Sequence, residues 1–202
     1  MQKQPTSSGP GPLTSAKKAV GAWKRELPNR LTWTRIWAIP VILILYPLDV
    51  SFFNVLCAFI FAAAAITDIL DGFLARKYNA QSKLGALLDP LADKMLVAAA
   101  LLLIAYNKAV FPLLAGLLLC REIGVSGLRL IAMERGINIP VNGYGKFKTI
   151  FQDVGIFCLM INRDFLSIPM RPIGMTAMWV ALLLSIYSAW LYFHEFWLRS
   201  KH

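Results

Sequence analysis

The sequence predicts an all-α polytopic membrane protein, with six transmembrane helices and a short amphipathic juxtamembrane helix before them. Three observations predict this class. Of the 202 residues, 57% are hydrophobic and only 16% are charged. The apolar residues form several long runs of roughly bilayer length, and the basic residues fall mainly between these runs. A soluble domain of this length could not hide so much apolar surface.

The N-terminal segment differs in composition from the rest of the chain. Residues 1–15 are rich in Pro, Gly, Ser and Thr, which predicts disorder, and they lack the apolar core of a signal peptide. Residues 16–27 are basic and favour a short helix on the membrane surface. We therefore expect a disordered, basic membrane-surface segment at 1–27 and a six-helix domain at 28–202.

Six apolar runs are the predicted spans. They are Leu31–Pro47, Val50–Arg76, Leu84–Tyr106, Val110–Met133, Tyr144–Asn162 and Ile173–Trp197. The first is short for a bilayer, and Pro40 and Pro47 favour a kink or a tilt within it. The connections near Asp49 and Asn107 are short, so we expect antiparallel helical hairpins there.

The distribution of basic residues predicts the orientation. The tail before Leu31 holds six Lys or Arg residues against one acid, and the Lys77–Lys83 and Arg135–Lys148 segments lie on the same side. The other side holds only three basic residues, Lys108, Arg163 and Arg171. The positive-inside rule then predicts a multi-pass protein of the cell's inner (cytoplasmic) membrane. Both termini and the site described next would face the cytoplasm.

The net charge of +10 has two possible explanations, nucleic acid and an anionic membrane surface. No separate soluble region could present a groove to nucleic acid, so we expect membrane lipids and no nucleic acid as partners. The three cysteines, Cys57, Cys120 and Cys158, each lie within an apolar run, and their spacing fits no metal motif. We interpret them as packing residues.

Four carboxylates, between Asp68 and Asp93, stand where apolar runs end. Asp68 and Asp71 are spaced i, i+3, and Asp89 and Asp93 are spaced i, i+4, so each pair shares one face of its helix. Placing a carboxylate at the edge of a membrane costs free energy. Four carboxylates that converge would also repel one another unless cations neutralise them. Hard oxygen ligands select Mg²⁺, Mn²⁺ or Ca²⁺ over zinc. The pattern therefore predicts a site for two divalent cations.

The residues between the carboxylates suit a phosphate-bearing ligand. Gly72 and Gly85 let a ligand approach the backbone, and Ala75 extends that smooth face. Arg76 can contact phosphate oxygens, and Pro90 is expected in the first turn of the third span. A single such Asp would more often cap a helix or hold water, but the whole set favours a ligand site.

A second polar cluster lies in the fourth and fifth spans and contains Arg121, Arg129, Lys146 and Lys148. Burying the Arg121 charge in an apolar run costs free energy unless the side chain is paired or faces a polar cavity. Glu122 is a candidate partner, although adjacent residues on a helix diverge and another partner is possible. Cations at this face would bind an acceptor that carries a phosphate. Positive-inside anchoring is the alternative for the two lysines, and a structural role is the alternative for the two arginines.

The complete pattern D-x2-D-G-x2-A-R-x8-G-x3-D-x3-D, from Asp68 to Asp93, resembles the signature of the CDP-alcohol phosphatidyltransferases. The resemblance extends over about residues 28–198. It implies a six-helix membrane enzyme, usually a homodimer, that transfers a phosphatidyl group from CDP-diacylglycerol to an alcohol and releases CMP.

The resemblance also implies roles for individual residues, carried over by position. The four Asp residues would hold two divalent cations, Mg²⁺ or Mn²⁺, and Asp93 would also be the general base that takes the proton of the attacking hydroxyl. The implied CDP-binding residues are Asn29, Thr32, Gly72, Ala75, Arg76 and Gly85. Helix capping explains Asn29 and Thr32 equally well, because Asn is a favoured N-cap.

The acceptor is implied by three local patterns, Asp89–Lys94, Arg121–Ile123 and Gly145–Thr149. They resemble the phosphatidylglycerophosphate synthase branch of the family, whose acceptor is sn-glycerol 3-phosphate. The implied ligands of the acceptor phosphate are Arg121, Arg129, Lys146 and Lys148. Phosphatidylglycerol, as in a cardiolipin synthase, and inositol phosphate stay open as acceptors. A cation transporter is the alternative from another functional class. Two observations oppose it: the carboxylates lie at one membrane face, and the sequence shows no internal repeats.

Overall fold

The computed structural model describes residues 34–78, 83–136 and 144–200, and side chains within 34–67, 91–136 and 145–199. This part of the chain is all-α apart from one short hairpin, which confirms the all-α part of the prediction. The helices are α1 (Thr34–Leu48), α2 (Ser51–Tyr78), α3 (Lys83–Tyr106), α4 (Pro112–Glu134), α5 (Tyr144–Ile161) and α6 (Met170–Ser200). The hairpin pairs β1 (Asp164–Phe165) with β2 (Ile168–Pro169). The predicted surface helix at 16–27 lies outside the described residues.

Each predicted span coincides with one helix, and the differences have local causes. Pro47 lies in the 3₁₀ turn Tyr46–Leu48 that ends α1. Pro112 opens α4, where its missing N–H leaves no hydrogen bond unmade. The prediction for Pro90 was wrong: α3 begins at Lys83, so Pro90 lies in the helix interior and removes one intrahelical hydrogen bond.

Two short connections and the start of α6 meet at one end of the bundle. Asp49 links α1 to α2 in the left-handed conformation (φ 49°), and Lys108, between α3 and α4, has φ 55°. The side-chain amide of Asn107 donates to the Tyr46 carbonyl at 3.5 Å, which joins these two connections. Arg171, at the start of α6, donates to the Lys108 carbonyl at 3.4 Å. Consecutive helices therefore run antiparallel, as the short connections predict.

Helix α5 lies at the centre and contacts α2, α3 and α6. Its closest approach is to α6, where Gly155 and Gly174 face each other. A Cβ atom on Gly155 would lie 2.8 Å from the Met178 side chain, and one on Gly174 would lie 2.8 Å from Leu159. Small residues permit such backbone contact between helices in membranes. This crossing fixes α6 against α5 and so positions the site between them.

The outer surface is apolar. Leu113, Trp190 and Leu183 are exposed by 73%, 67% and 65%. Among the described residues, one helix is long and apolar enough to cross a membrane by length and composition, at Met170–Arg199. Thr34–Leu48 and Ser51–Thr67 are shorter apolar helices. Helices α3, α4 and α5 have sufficient length but carry charged residues predicted for the site.

The cysteines divide between the interior and the surface. Cys57 and Cys158 are buried, in agreement with a packing role, and Cys120 is exposed. The expectation was therefore wrong for Cys120. Its position on α4 points outward because the inward face of that helix is occupied by Leu114, Leu118 and their neighbours.

Candidate active site

A cavity of about 500 Å³ lies between α3, α4, α5 and α6, and we call it the polar cavity because many charged side chains line it. Five of the predicted site residues line it: Asp93, Arg121, Arg129, Lys146 and Lys148. They come from three different helices. The structure thus brings the predicted general base and all four predicted acceptor-binding cations to one cavity. Their roles stay predictions, but their proximity is a property of the fold.

Arg121 and Lys148 share one counter-ion, Glu122. The Arg121 Nη1 atom lies 3.5 Å from Glu122 Oε2, and Lys148 Nζ forms an ion pair with the same oxygen. The three side chains are 11%, 7% and 26% exposed, in the order Arg121, Lys148, Glu122. Arg121 Nε also donates to the Ser185 carbonyl at 2.8 Å. Arg121 therefore has two partners, its sequence neighbour Glu122 and the Ser185 carbonyl on α6.

Lys148 is a buried residue within α5. Burial and the nearby Arg121 disfavour its ammonium form, and the negative charges of Glu122 and Asp93 favour it. A buried ammonium between helices cannot anchor the protein at the membrane surface. Lys146, two residues earlier, is exposed, so anchoring and ligand binding are both compatible with its position.

Arg129 extends the basic wall of the polar cavity towards α6. Its guanidinium carbon lies 5.9 Å from the centre of the Tyr192 ring, within the range of a cation–π contact. Ser188 and Tyr192 line the same cavity from α6. No site residue was predicted in α6. Polar side chains spaced i, i+4 in an apolar span were the signal that could have revealed them.

A side recess of about 30 Å³ lies beside the polar cavity and is lined by residues of α3, α4 and α5. Asp93 and Lys148 belong to both. Gln152 and Asp153 also line the recess, and Gln152 is buried. Asp153 was not singled out from the sequence. An unexplained acid within an apolar run was the available signal.

The carboxylate pairs lie where the sequence placed them along the chain. Asp68 and Asp71 are in α2, and Asp89 and Asp93 are in α3, so both spacings fall on helical backbone. Helices α2 and α3 contact each other. Carboxylate oxygens on two neighbouring helices have the donor chemistry that Mg²⁺ and Mn²⁺ prefer.

Most of the remaining predicted ligands lie outside the described side chains. The side chains of residues 68–90 lie outside the described part, which includes those of Asp68, Asp71, Ala75, Arg76 and Asp89 and the positions Gly72 and Gly85. Asn29 and Thr32 precede the first described residue. Among the described side chains, no three His, Cys, Asp or Glu residues are grouped to hold a metal ion. Asp93 is the one predicted metal ligand in that set.

Comparison with known proteins decides the family. The family model for CDP-alcohol phosphatidyltransferase matches residues 25–187. The chain belongs to the CDP-alcohol phosphatidyltransferase family. The match covers every predicted site residue from Asn29 to Lys148 and ends at Tyr187. Ser188 and Tyr192, which complete the polar cavity, lie just beyond it.

Relatives in bacteria and a plant cover the same region. A protein of Rickettsia bellii is 36% identical over 169 residues, 83% of this chain and 93% of the relative. A Bacillus subtilis protein is 33% identical over 188 residues, 87% and 97% of the two chains. An Arabidopsis thaliana protein is 32% identical over 211 residues, 98% and 88%. All three are named CDP-diacylglycerol–glycerol-3-phosphate 3-phosphatidyltransferase, the plant protein with the number 2.

Proposed function

We propose that this enzyme transfers the phosphatidyl group of CDP-diacylglycerol to sn-glycerol 3-phosphate, giving phosphatidylglycerophosphate and CMP in phospholipid biosynthesis. One observation carries the proposal: Asp93 shares the polar cavity with Arg121, Arg129, Lys146 and Lys148. An acceptor that has both a hydroxyl and a phosphate fits a cavity that has both a carboxylate and several cations. The names of the relatives describe this same reaction.

The chain's own residues would divide the work between binding and proton transfer. Arg121 and Lys148 are held in place by Glu122 before the acceptor arrives, and Arg129 and Lys146 add positive charge to the wall. Together these cations bind the acceptor phosphate. Asp93 takes the proton from the attacking hydroxyl, whose oxygen bonds to the phosphorus that carries diacylglycerol. The bond from that phosphorus to the CMP oxygen breaks, and CMP leaves.

The proposed metal site consists of Asp68, Asp71, Asp89 and Asp93, and would hold two divalent cations, Mg²⁺ or Mn²⁺. The donor set supports this assignment, because it contains only carboxylates from two helices in contact. When bound, such cations neutralise phosphate charge and stabilise the leaving group. The proposed CDP site uses residues around the same carboxylates: Asn29, Thr32, Gly72, Ala75, Arg76 and Gly85.

We further propose a multi-pass protein of the inner membrane with six spans, with both termini and the active site on the cytoplasmic side. The apolar exterior of the bundle and the alternating direction of consecutive helices support this arrangement. The end of the bundle that holds the short connections has few basic residues, Lys108, Arg163 and Arg171. The division at residue 28 and the homodimer belong to the same proposal and are implied by the family resemblance.

An acceptor panel tests the proposed function. The purified full-length protein is supplied with CDP-diacylglycerol and Mg²⁺ or Mn²⁺, and CMP release is measured with glycerol 3-phosphate, inositol phosphate, serine and phosphatidylglycerol. Glycerol 3-phosphate should give the highest kcat/KM. A preference for phosphatidylglycerol or inositol phosphate would move the enzyme to another branch of the family. Mn²⁺ binding without CMP release from any acceptor would end the enzyme proposal and favour cation transport.

A further inference from the structure

Asp153 is an acid in a cavity built for an anion. It lines both the polar cavity and the side recess, among Lys148, Thr149 and Gln152. The proposed function gives it no role: Asp93 is the base, and Glu122 is the counter-ion of the buried cations. A carboxylate near a phosphate site weakens phosphate binding through charge repulsion. Its position in both cavities, together with the proposed base, also makes it available to hydrogen-bond another part of the substrate, in addition to its partners within the protein.

The hydrogen-bonding groups around Asp153 indicate what that interaction is. The Ser126 hydroxyl donates to the Glu122 carbonyl at 2.6 Å, and the Thr149 hydroxyl donates to the Gly145 carbonyl at 3.1 Å. Glu122 is engaged by two cations. An acceptor hydroxyl must donate its proton to something, and carboxylates are the strongest acceptors available to it. Three carboxylates line the side recess: Asp93, Glu122 and Asp153. With Glu122 paired to the cations and Asp93 assigned as the base, Asp153 is the carboxylate left for a second hydroxyl.

The size of the side recess supports the same conclusion. A volume of about 30 Å³ holds one or two groups of about the size of a water molecule. It therefore suits the hydroxyl end of the acceptor, not its phosphate. The phosphate fits the wider polar cavity, where Arg129 and Lys146 line the wall. This orientation places two neighbouring hydroxyls of a glycerol phosphate near two carboxylates.

We propose that Asp153 determines acceptor specificity by accepting a hydrogen bond from the hydroxyl adjacent to the attacking one. The enzyme would thereby select phosphates that carry a vicinal diol. This inference rests on the proposed function and extends it to the second hydroxyl of the acceptor. A carboxylate accepts up to about four hydrogen bonds, so Asp153 can hold a substrate hydroxyl in addition to partners within the protein.

The test compares glycerol 3-phosphate with 3-hydroxypropyl phosphate, which lacks the middle hydroxyl. The wild-type enzyme should prefer glycerol 3-phosphate by about 10- to 100-fold in kcat/KM, the range expected for a hydrogen bond to a charged group. In Asp153→Ala the preference should fall below about threefold, because the activity with glycerol 3-phosphate decreases selectively. Asp153→Asn keeps an acceptor oxygen without the charge and should show an intermediate preference.

Controls separate this inference from the proposed function. Asp164→Ala removes an exposed acid on β1, away from the polar cavity, and should leave the preference unchanged. A wild-type enzyme that uses both acceptors equally well overturns the role of Asp153 and leaves the proposed function intact. Equal losses with both acceptors in both Asp153 variants also overturn it, since they indicate structural support. A wild-type enzyme that releases no CMP with glycerol 3-phosphate refutes the proposed function itself.

Discussion

Replacing Glu122 by Gln is the most informative perturbation of the site, because it removes one negative charge that serves two buried cations. Arg121 and Lys148 are 11% and 7% exposed, and both contact the Glu122 carboxylate. Gln has nearly the same shape but removes the carboxylate charge that both cations contact. The variant should therefore be less stable than the wild type, and a second substitution, Lys148→Met, should reverse most of that loss.

The expected magnitude follows from the burial of the three side chains. Removing one partner of a fully buried ion pair destabilises a protein by about 3–5 kcal/mol. Because Glu122 is 26% exposed, water compensates part of the charge, and we expect about 2–3 kcal/mol. For a chain of this length, that loss lowers Tm by roughly 5–10 °C. The Glu122→Gln/Lys148→Met variant should lie within about 1 kcal/mol of the wild type, because it buries no uncompensated ammonium.

The assay is thermal unfolding of the detergent-solubilised protein, combined with steady-state CMP release. Glu195→Gln is the matched control, since its partner Arg199 forms an exposed pair at i, i+4, and it should change stability by less than about 0.5 kcal/mol. The double variant should recover Tm but keep a raised KM for glycerol 3-phosphate, because Lys148 is missing. A Glu122→Gln protein as stable as the wild type would refute the counter-ion role. Recovery of both Tm and KM would refute the role of Lys148 in acceptor binding.

Further predictions address the base, the acceptor, the metals and the helix crossing. Asp93→Asn should nearly abolish CMP release while CDP-diacylglycerol binding is largely retained; near wild-type turnover would contradict the general-base role. Lys146→Ala should raise KM for glycerol 3-phosphate more than for CDP-diacylglycerol, whereas equal effects in initial-rate measurements would indicate structural support. Removing divalent cations with EDTA should stop CMP release, and Mg²⁺ or Mn²⁺ should restore it; activity that persists in chelator would contradict the metal site. Gly155→Ala should lower stability by about 1–3 kcal/mol, because the added methyl group would lie 2.8 Å from Met178. Gly116→Ala, where a Cβ meets no atom within 4 Å, is the control, and a Gly155→Ala protein of equal Tm would contradict the close crossing.

The sequence was sufficient for the features that depend on local pattern. Apolar runs bounded by charged or Pro residues predict helices to within a few residues, as α4 shows at Pro112. Helical periodicity is local too, so the spacing of Asp68 and Asp71 could be interpreted before the fold was known. The family followed from the same stretch, since its signature runs without a gap from Asp68 to Asp93. The prediction for Pro90 failed although the span was placed to within one residue: α3 begins at Lys83, so seven helical residues precede the proline and it lies beyond the first turn.

The tertiary structure decided which side chains meet. Glu122 could be named as a neighbour of Arg121, but its bridge to Lys148 depends on how α4 and α5 are rotated about their axes. The contribution of Tyr192, and the outward position of Cys120, depend on packing in the same way. The sequence of a helix determines the relative directions of its own side chains. It does not determine which face of the helix packs against which neighbouring helix. The predicted base and its surrounding cations therefore became one site, with Asp153 beside them, only when the helices were packed.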